Sequence, residues 1–125
     1  MAAVLEKIEH IGIYVADLDK SVAFYRDVLG LELREVVETP NGRIGFIQIG
    51  DSQIELLEFD VGERTHGIVD HLTFTVRDID AMYAKLKEHN VELIDPEPKT
   101  IFNDHRILFF YGPDGERLEL FQPAK

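Results

Sequence analysis

Five histidines, 24 acidic residues and no cysteine set the chemistry open to this 125-residue chain. Without a thiol there is no disulfide, no thiolate metal site and no cysteine nucleophile. Imidazole and carboxylate remain, and four such groups stand out by position: His10, Glu55, His71 and Glu119. His10-Ile-Gly-Ile-Tyr-Val15-Ala-Asp17-Leu-Asp19 lies over His71-Leu-Thr-Phe-Thr-Val76-Arg-Asp78-Ile-Asp80, 61 residues on, with the His, the Val and both Asp coinciding. Ile54-Glu55-Leu56-Leu57 lies over Leu118-Glu119-Leu120-Phe121, 64 residues on. Two imidazoles and two carboxylates at equivalent places of a repeat form a donor set for a divalent metal. Imidazole suits Zn, Ni, Fe and Co, and carboxylate extends the range to Mn. Four protein donors on a metal that prefers six leave room for water or substrate, as catalysis requires. The other reading of the matched quartet is a polar interface network left by a duplication.

Strands must hold these groups, and the patterning supplies them. Ile8–Val15 alternates and is rich in β-branched residues, which predicts a strand. Asp17 or Asp19 offers an N-cap, Val22, Tyr25, Val28 and Leu29 form one helical stripe, and Gly30 ends it. A strand at Leu31–Val37, a hairpin signal at Asn41-Gly42, and strands at Arg43–Ile49 and Gln53–Glu58 complete the first half. The second half predicts a strand at 70–76, a helix from about Asp80 to His89 stopped by Asn90, and strands near 91–94, 105–111 and 116–121. This is β-α-β-β-β twice: an α+β chain of two modules, 1–61 and 62–125, joined through the polar stretch at 60–67. Such a module has one helix on one face of its sheet. Side chains alternate across a strand, so Ile11, Ile13 and Val15, like Leu72, Phe74 and Val76, face the helix. His10, Glu55, His71 and Glu119 face the other way. If that face forms a trough and the modules pair, the four converge.

The remaining polar residues read more plainly. Asp17, Asp19, Asp78 and Asp80 serve helix starts. Glu32, Glu35 and Glu58 belong to solvated sheet faces. His66 is structural, and His89 faces a helix C-terminus. His105, with Asn103 and Asp104, lies in a polar loop where a substrate-side role is open. Arg43, Arg64 and Arg106 are surface residues by default and carboxylate clamps by alternative. A net charge of −11 argues against a nucleic-acid partner. No apolar run nears the roughly 18 residues that span a membrane. The opening MAAVLEKIEH has neither the basic start nor the long apolar stretch of a signal peptide, so the expected setting is cytoplasmic.

Taken together, Ile8-Glu-His-Ile-Gly-Ile-Tyr-Val, Ser21-Val-Ala-Phe-Tyr-Arg-Asp-Val-Leu-Gly-Leu, Ile54-Glu-Leu-Leu-Glu, Asp70-His-Leu-Thr-Phe-Thr-Val and Gly112-Pro-Asp-Gly-Glu-Arg-Leu-Glu-Leu resemble the vicinal oxygen chelate superfamily. Within it they are similar to the glyoxalase I (lactoylglutathione lyase) group, over nearly the whole chain. The resemblance implies the glyoxalase/bleomycin resistance/dioxygenase fold, with tandem β-α-β-β-β modules forming a cup-shaped mixed-sheet barrel around a divalent metal (Ni, Co, Zn, Mn or Fe). It implies His10, Glu55, His71 and Glu119 as the ligands, and a homodimer as the usual assembly. It also implies a lyase or isomerase chemistry of methylglyoxal detoxification. A metal polarises two neighbouring oxygens of an α-oxoaldehyde–thiol hemithioacetal, and a ligand carboxylate, Glu119 or Glu55, moves a proton through an enediolate.

Two positions depart from the glutathione-using enzymes of this group. Tyr14 stands where they typically carry Arg, and Phe59 where they often carry Asn. The thiol is therefore open. Glu55-Leu-Leu-Glu and Leu93-Ile-Asp-Pro-Glu-Pro also look like methylmalonyl-CoA epimerase, which applies the same proton chemistry to a thioester. Its Gly-His-Gly loop is replaced here by Phe102-Asn-Asp-His-Arg106. An extradiol dioxygenase fits less well, since it usually takes two His and one Glu with Fe(II). A non-catalytic small-molecule or metal-binding module is the alternative from a different class.

Overall fold

The computed structural model describes residues 8–63, 65, 67 and 69–124. His66 and Arg64, both singled out above, lie outside the described residues. The chain divides into two compact units, Met1–Arg64 and Thr65–Lys125. The first contains β1 (His10–Tyr14), α1 (Leu18–Ala23), β2 (Glu32–Thr39), β3 (Gly42–Ile49) and β4 (Ser52–Phe59). Helix α1 runs on into one π-helical turn at Phe24–Val28. The second contains β5 (Leu72–Thr75), α2 (Ile79–Glu88), β6 (Lys99–Thr100), β7 (Arg106–Tyr111) and β8 (Arg117–Gln122). The sheets are ordered β1-β4-β3-β2 and β5-β8-β7-β6. In each, the first strand runs parallel to the last and the remaining pairs are antiparallel. The chain is α+β with two four-stranded mixed sheets.

The helices start by the same device in both units. The Asp17 carboxylate accepts from the Lys20 N–H at 3.1 Å, and Asp78 accepts from Ala81 at 3.0 Å. Asp19 and Asp80, the other cap candidates, instead pair with Arg43 (3.5 Å) and Arg106 (2.7 Å). A second first-turn donor is satisfied from the sheet: Leu18 N–H donates to Glu58 at 2.6 Å, and Ile79 N–H to Gln122 at 2.7 Å. Glu58 is therefore not a residue of a solvated face. It joins its strand to α1 and pairs with the Arg43 guanidinium at 3.0 Å. Gly30 and Asn90 end the helices in the left-handed conformation, φ 75 and 56.

One predicted strand is replaced. Residues 91–94 form only an isolated bridge, Leu93 to Phe110, and the fourth strand of the second sheet is β6. Pro96 and Pro98 lack an N–H and interrupt the run, so pairing resumes beyond them. Asp95 substitutes for part of the missing ladder, its carboxylate accepting from the Phe109 N–H at 2.8 Å.

The alternation expected from the sequence is seen in burial. Val15, Ile54 and Leu56 are buried with Leu18, Val22 and Tyr25 of the helical segment. Leu108, Phe110, Leu118 and Leu120 are buried with Ile79 and Leu86 of α2. Each core thus fills one side of its sheet and leaves the opposite side to carry polar groups. Among the described residues no helix is long and apolar enough to cross a membrane.

Candidate metal centre

The residues opposite Glu55 and Glu119 follow from strand register. Glu55 lies between Gly12 on β1 and Phe46 on β3. Glu119 lies between Thr73 on β5 and Phe109 on β7. His10 on β1 and His71, the residue just before β5, each stand two residues before that neighbour, and so on the same face. Each unit thus brings one imidazole to one carboxylate. His10 Nε2 is 3.0 Å from Glu55 Oε2, and His71 Nε2 is 3.2 Å from Glu119 Oε1.

The second pair is the more fully braced. Glu119 is one of two buried polar residues among those described, at 8% exposure. Thr73 Oγ1 donates to its Oε1 at 2.7 Å. His71 Nδ1 faces Asp70 Oδ2 at 2.8 Å, and its ring meets Phe109 edge-on at 5.0 Å between centroids. An ionised carboxylate only accepts, so Nδ1 is the donor. In the neutral ring the Nε2 lone pair then points toward a carboxylate oxygen, and two acceptors 3.2 Å apart need a positive charge between or beside them. A proton meets that need, and so does a metal ion.

The distances fit a shared cation. Two ligands ~2.1 Å from one metal stand ~3.0 Å apart at a right angle and ~3.4 Å at the tetrahedral angle. A carboxylate holding the far nitrogen of a ligand imidazole is the usual outer partner in metal sites, and Asp70 occupies that place on His71. Among the described residues no cluster of three or more metal-ligating side chains forms; each unit presents one His–Glu pair.

The structure brings the four sequence-predicted residues together as two His–Glu pairs, one in each unit, with supports that sequence reasoning missed. Thr73 and Asp70 were legible only as neighbours of His71. Arg117 was not singled out. It lies on the face of Glu119, its guanidinium 5.6 Å from the Phe109 ring centroid and its Nε 3.6 Å from Asp70 Oδ2. That Nε is buried without a hydrogen-bond partner among the described residues. Tyr14 and Phe59, on the Glu55 face, come together as an aromatic pair with centroids 6.5 Å apart. His105 is placed outside the His–Glu pair. Its Nδ1 accepts from the Ala124 N–H at 2.9 Å, and its ring meets Phe102 edge-on and Phe121 at a tilt. Arg43 and Arg106, the carboxylate-clamp alternatives, are engaged by Glu58, Asp19 and Asp80.

Residues 7–120 match the family model of the Glyoxalase/Bleomycin resistance protein/Dioxygenase superfamily. The chain belongs to this superfamily. It is 37% identical over 123 residues to the uncharacterized protein YwbC of Bacillus subtilis, covering 94% of this chain and 98% of that one. It is 29% identical over 132 residues to mitochondrial methylmalonyl-CoA epimerase of Mus musculus, covering 94% of this chain and 74% of the epimerase. Among solved structures, the trypanothione-dependent glyoxalase I of Leishmania major superposes with a TM-score of 0.78 at 26% identity, covering 94% of this chain and 87% of that one. The superfamily thus joins this chain to enzymes of differing substrate.

Proposed function

We propose that this chain is a metal-dependent lyase or isomerase of the glyoxalase I type. His10, Glu55, His71 and Glu119 would hold a divalent ion, with the two donor pairs meeting within one chain or across a homodimer. The observation that carries this reading is the repetition of one His–Glu pair at the same register in both units, at 3.0 and 3.2 Å. A chance polar contact has no reason to recur with its register.

When bound, a divalent ion supplies positive charge to two neighbouring substrate oxygens and makes the adjacent C–H acidic. The chain's own residues do the rest. The imidazoles and carboxylates would hold that ion. A glutamate carboxylate takes the proton from one carbon of an α-oxoaldehyde–thiol hemithioacetal and returns it to the neighbouring carbon. The hydroxyl hydrogen passes to the adjacent oxygen, so substrate and product are isomers and no oxidant is consumed. Tyr14 and Phe59 present aromatic surface beside Glu55, which suits a thiol other than glutathione. The same reading makes the protein a cytoplasmic enzyme of methylglyoxal detoxification.

The epimerase relationship supports a second reading, in which the same carboxylate chemistry inverts the α-carbon of an acyl-CoA thioester. One pair of assays separates the two. Metal-loaded protein is given methylglyoxal with a panel of thiols, and separately methylmalonyl-CoA in deuterated water. Thioester formation from methylglyoxal supports the first reading. Deuterium entering methylmalonyl-CoA without it supports the second. Ligand or metal binding with neither reaction makes the chain a binding module.

A further inference from the structure

The second unit carries a charge on its site face that the first lacks. Phe46 stands opposite Glu55 as Phe109 stands opposite Glu119. Two residues before each glutamate, and so on its face, the first unit has Gln53 and the second has Arg117. Gln53 is neutral, and its amide donates to its register partner Gln48 at 3.5 Å. Strands β5, β7 and β8 hold one other cationic side chain, Arg106. It lies on the helix face and is taken by Asp80 at 2.7 Å.

Arg117 is held in place without being satisfied. Its guanidinium lies 5.6 Å from the centroid of the Phe109 ring, and the same ring meets His71 at 5.0 Å. Asp70 Oδ2 is 3.6 Å from Arg117 Nε, beyond hydrogen-bond reach, and is engaged by His71 Nδ1 at 2.8 Å. The Nε is buried without a hydrogen-bond partner among the described residues, yet the side chain as a whole is 33% exposed. Its two terminal nitrogens are therefore the open end. They form a planar fork of N–H donors whose geometry matches a carboxylate. In a chain of net charge −11, this cation beside His71 and Glu119 is the group that an anionic ligand would find.

We propose that Arg117 is a specificity-determining residue that binds a carboxylate of the substrate, so that the protein acts on small molecules bearing a carboxylate beside the reacting oxygens. This rests on the reading of the Glu119 face as the substrate site. Every group it uses lies in the second unit.

Malonate, with the neutral malonamide as its control, tests the proposal on the full-length protein at constant ionic strength. Binding is measured by calorimetry and by the nitrogen-15 NMR signal of the Arg117 Nε–H, with and without Zn(II). Malonate should shift that signal and malonamide should not. Arg117→Gln, which gives Glu119 the neighbour that Glu55 has, should weaken malonate binding about tenfold or more, the worth of a charge-assisted hydrogen bond. Malonamide binding should be unchanged. Arg117→Lys keeps the charge without the fork and should fall between the two. Circular dichroism confirms that each variant is folded. A zinc–malonate bond contributes equally to native and variant protein, so their ratio isolates Arg117. A ratio near one, or an Arg117 signal that malonate does not move, overturns the proposal and leaves the metal reading standing. Malonate affinity that zinc does not change counts against the metal reading, while the ratio still decides the role of Arg117.

Discussion

Asp70 faces the Nδ1 atom of His71 at 2.8 Å, and this contact decides which nitrogen is turned toward Glu119. A carboxylate in that place fixes the tautomer and the ring plane together.

The first prediction concerns this contact. Asp70→Asn replaces an obligate acceptor with an amide that can turn either end toward the ring, so the tautomer is no longer imposed. Co(II) or Ni(II) affinity should fall by about 10–100-fold while the thermal midpoint changes little, because Asp70 is exposed. Calorimetric titration and a melting curve on the same sample check both halves. An unaltered affinity would remove Asp70 from the site.

A second prediction follows from Glu58. Its carboxyl is held below the usual carboxylate range, first by hydrogen bonds from Arg43 and then by the Leu18 N–H, against partial desolvation. In the unfolded chain it returns to about 4.3. A carboxyl lowered by folding contributes stability above its unfolded value and loses that contribution as pH falls through its folded value. The urea midpoint of the native protein should therefore exceed that of Glu58→Gln at neutral pH, with the gap closing below about pH 4.3. Asp80, lowered by Arg106, follows the same sign. Glu58→Ala also removes the acceptor for the Leu18 N–H and should cost about 1 kcal/mol more than Gln, the usual worth of a helix cap. A gap that widens in acid would contradict the assignment.

The two glutamates read as candidate site residues and the one misread as solvated differ in what the sequence can express. Alternation along a strand has a period of two, so the faces of His10, Glu55, His71 and Glu119 could be read directly. Register between parallel strands is set by tertiary pairing. The apposition of Gly12 to Glu55 and of Thr73 to Glu119 therefore left no local mark. Glu58 reaches Leu18 across 40 residues, and Gln122 reaches Ile79 across 43; both contacts exist only once the helix lies on its sheet. The strand placed at 91–94 failed for a local reason that was visible, the prolines at 96 and 98, and the sheet acquired its fourth strand beyond them. Likewise the apolar stripe ending at Leu29 indicated helix but not its π-helical turn at Phe24–Val28, since that turn is defined by backbone hydrogen bonds such as Leu29 N–H to Phe24 O, on which side-chain spacing does not report.

The core yields a third prediction, a control for the site variants. Leu118 is fully buried, between Leu72 and Phe110 in register, and its neighbour in sequence is Glu119. Leu118→Ala should destabilise by about 2–5 kcal/mol through lost burial and a residual cavity. Below the unfolding transition, metal affinity should be retained, because the side chain lies on the helix face of β8. Chemical denaturation and Co(II) titration separate the two effects. Loss of affinity in a folded Leu118→Ala protein would mean that the two faces of the strand are coupled.

The fourth prediction bears on the chemistry itself. If Glu55 carries the proton, Glu55→Gln removes the acceptor while keeping a side chain of the same shape beside Gly12 and Phe46. Turnover of whichever substrate the native protein accepts should drop by about 10²–10⁴-fold, the range for losing a general base. Retained Co(II) binding would show that the loss lies in proton transfer rather than in assembly of the site. Glu119→Gln should lose turnover together with the metal, and excess metal should restore part of it. A chelator should abolish native turnover, and re-addition of a divalent ion should return it. The outcomes differ in kind: a defect that excess metal cannot repair marks the base, and one that it repairs marks the anchor. Full turnover in Glu55→Gln would reassign the proton to Glu119.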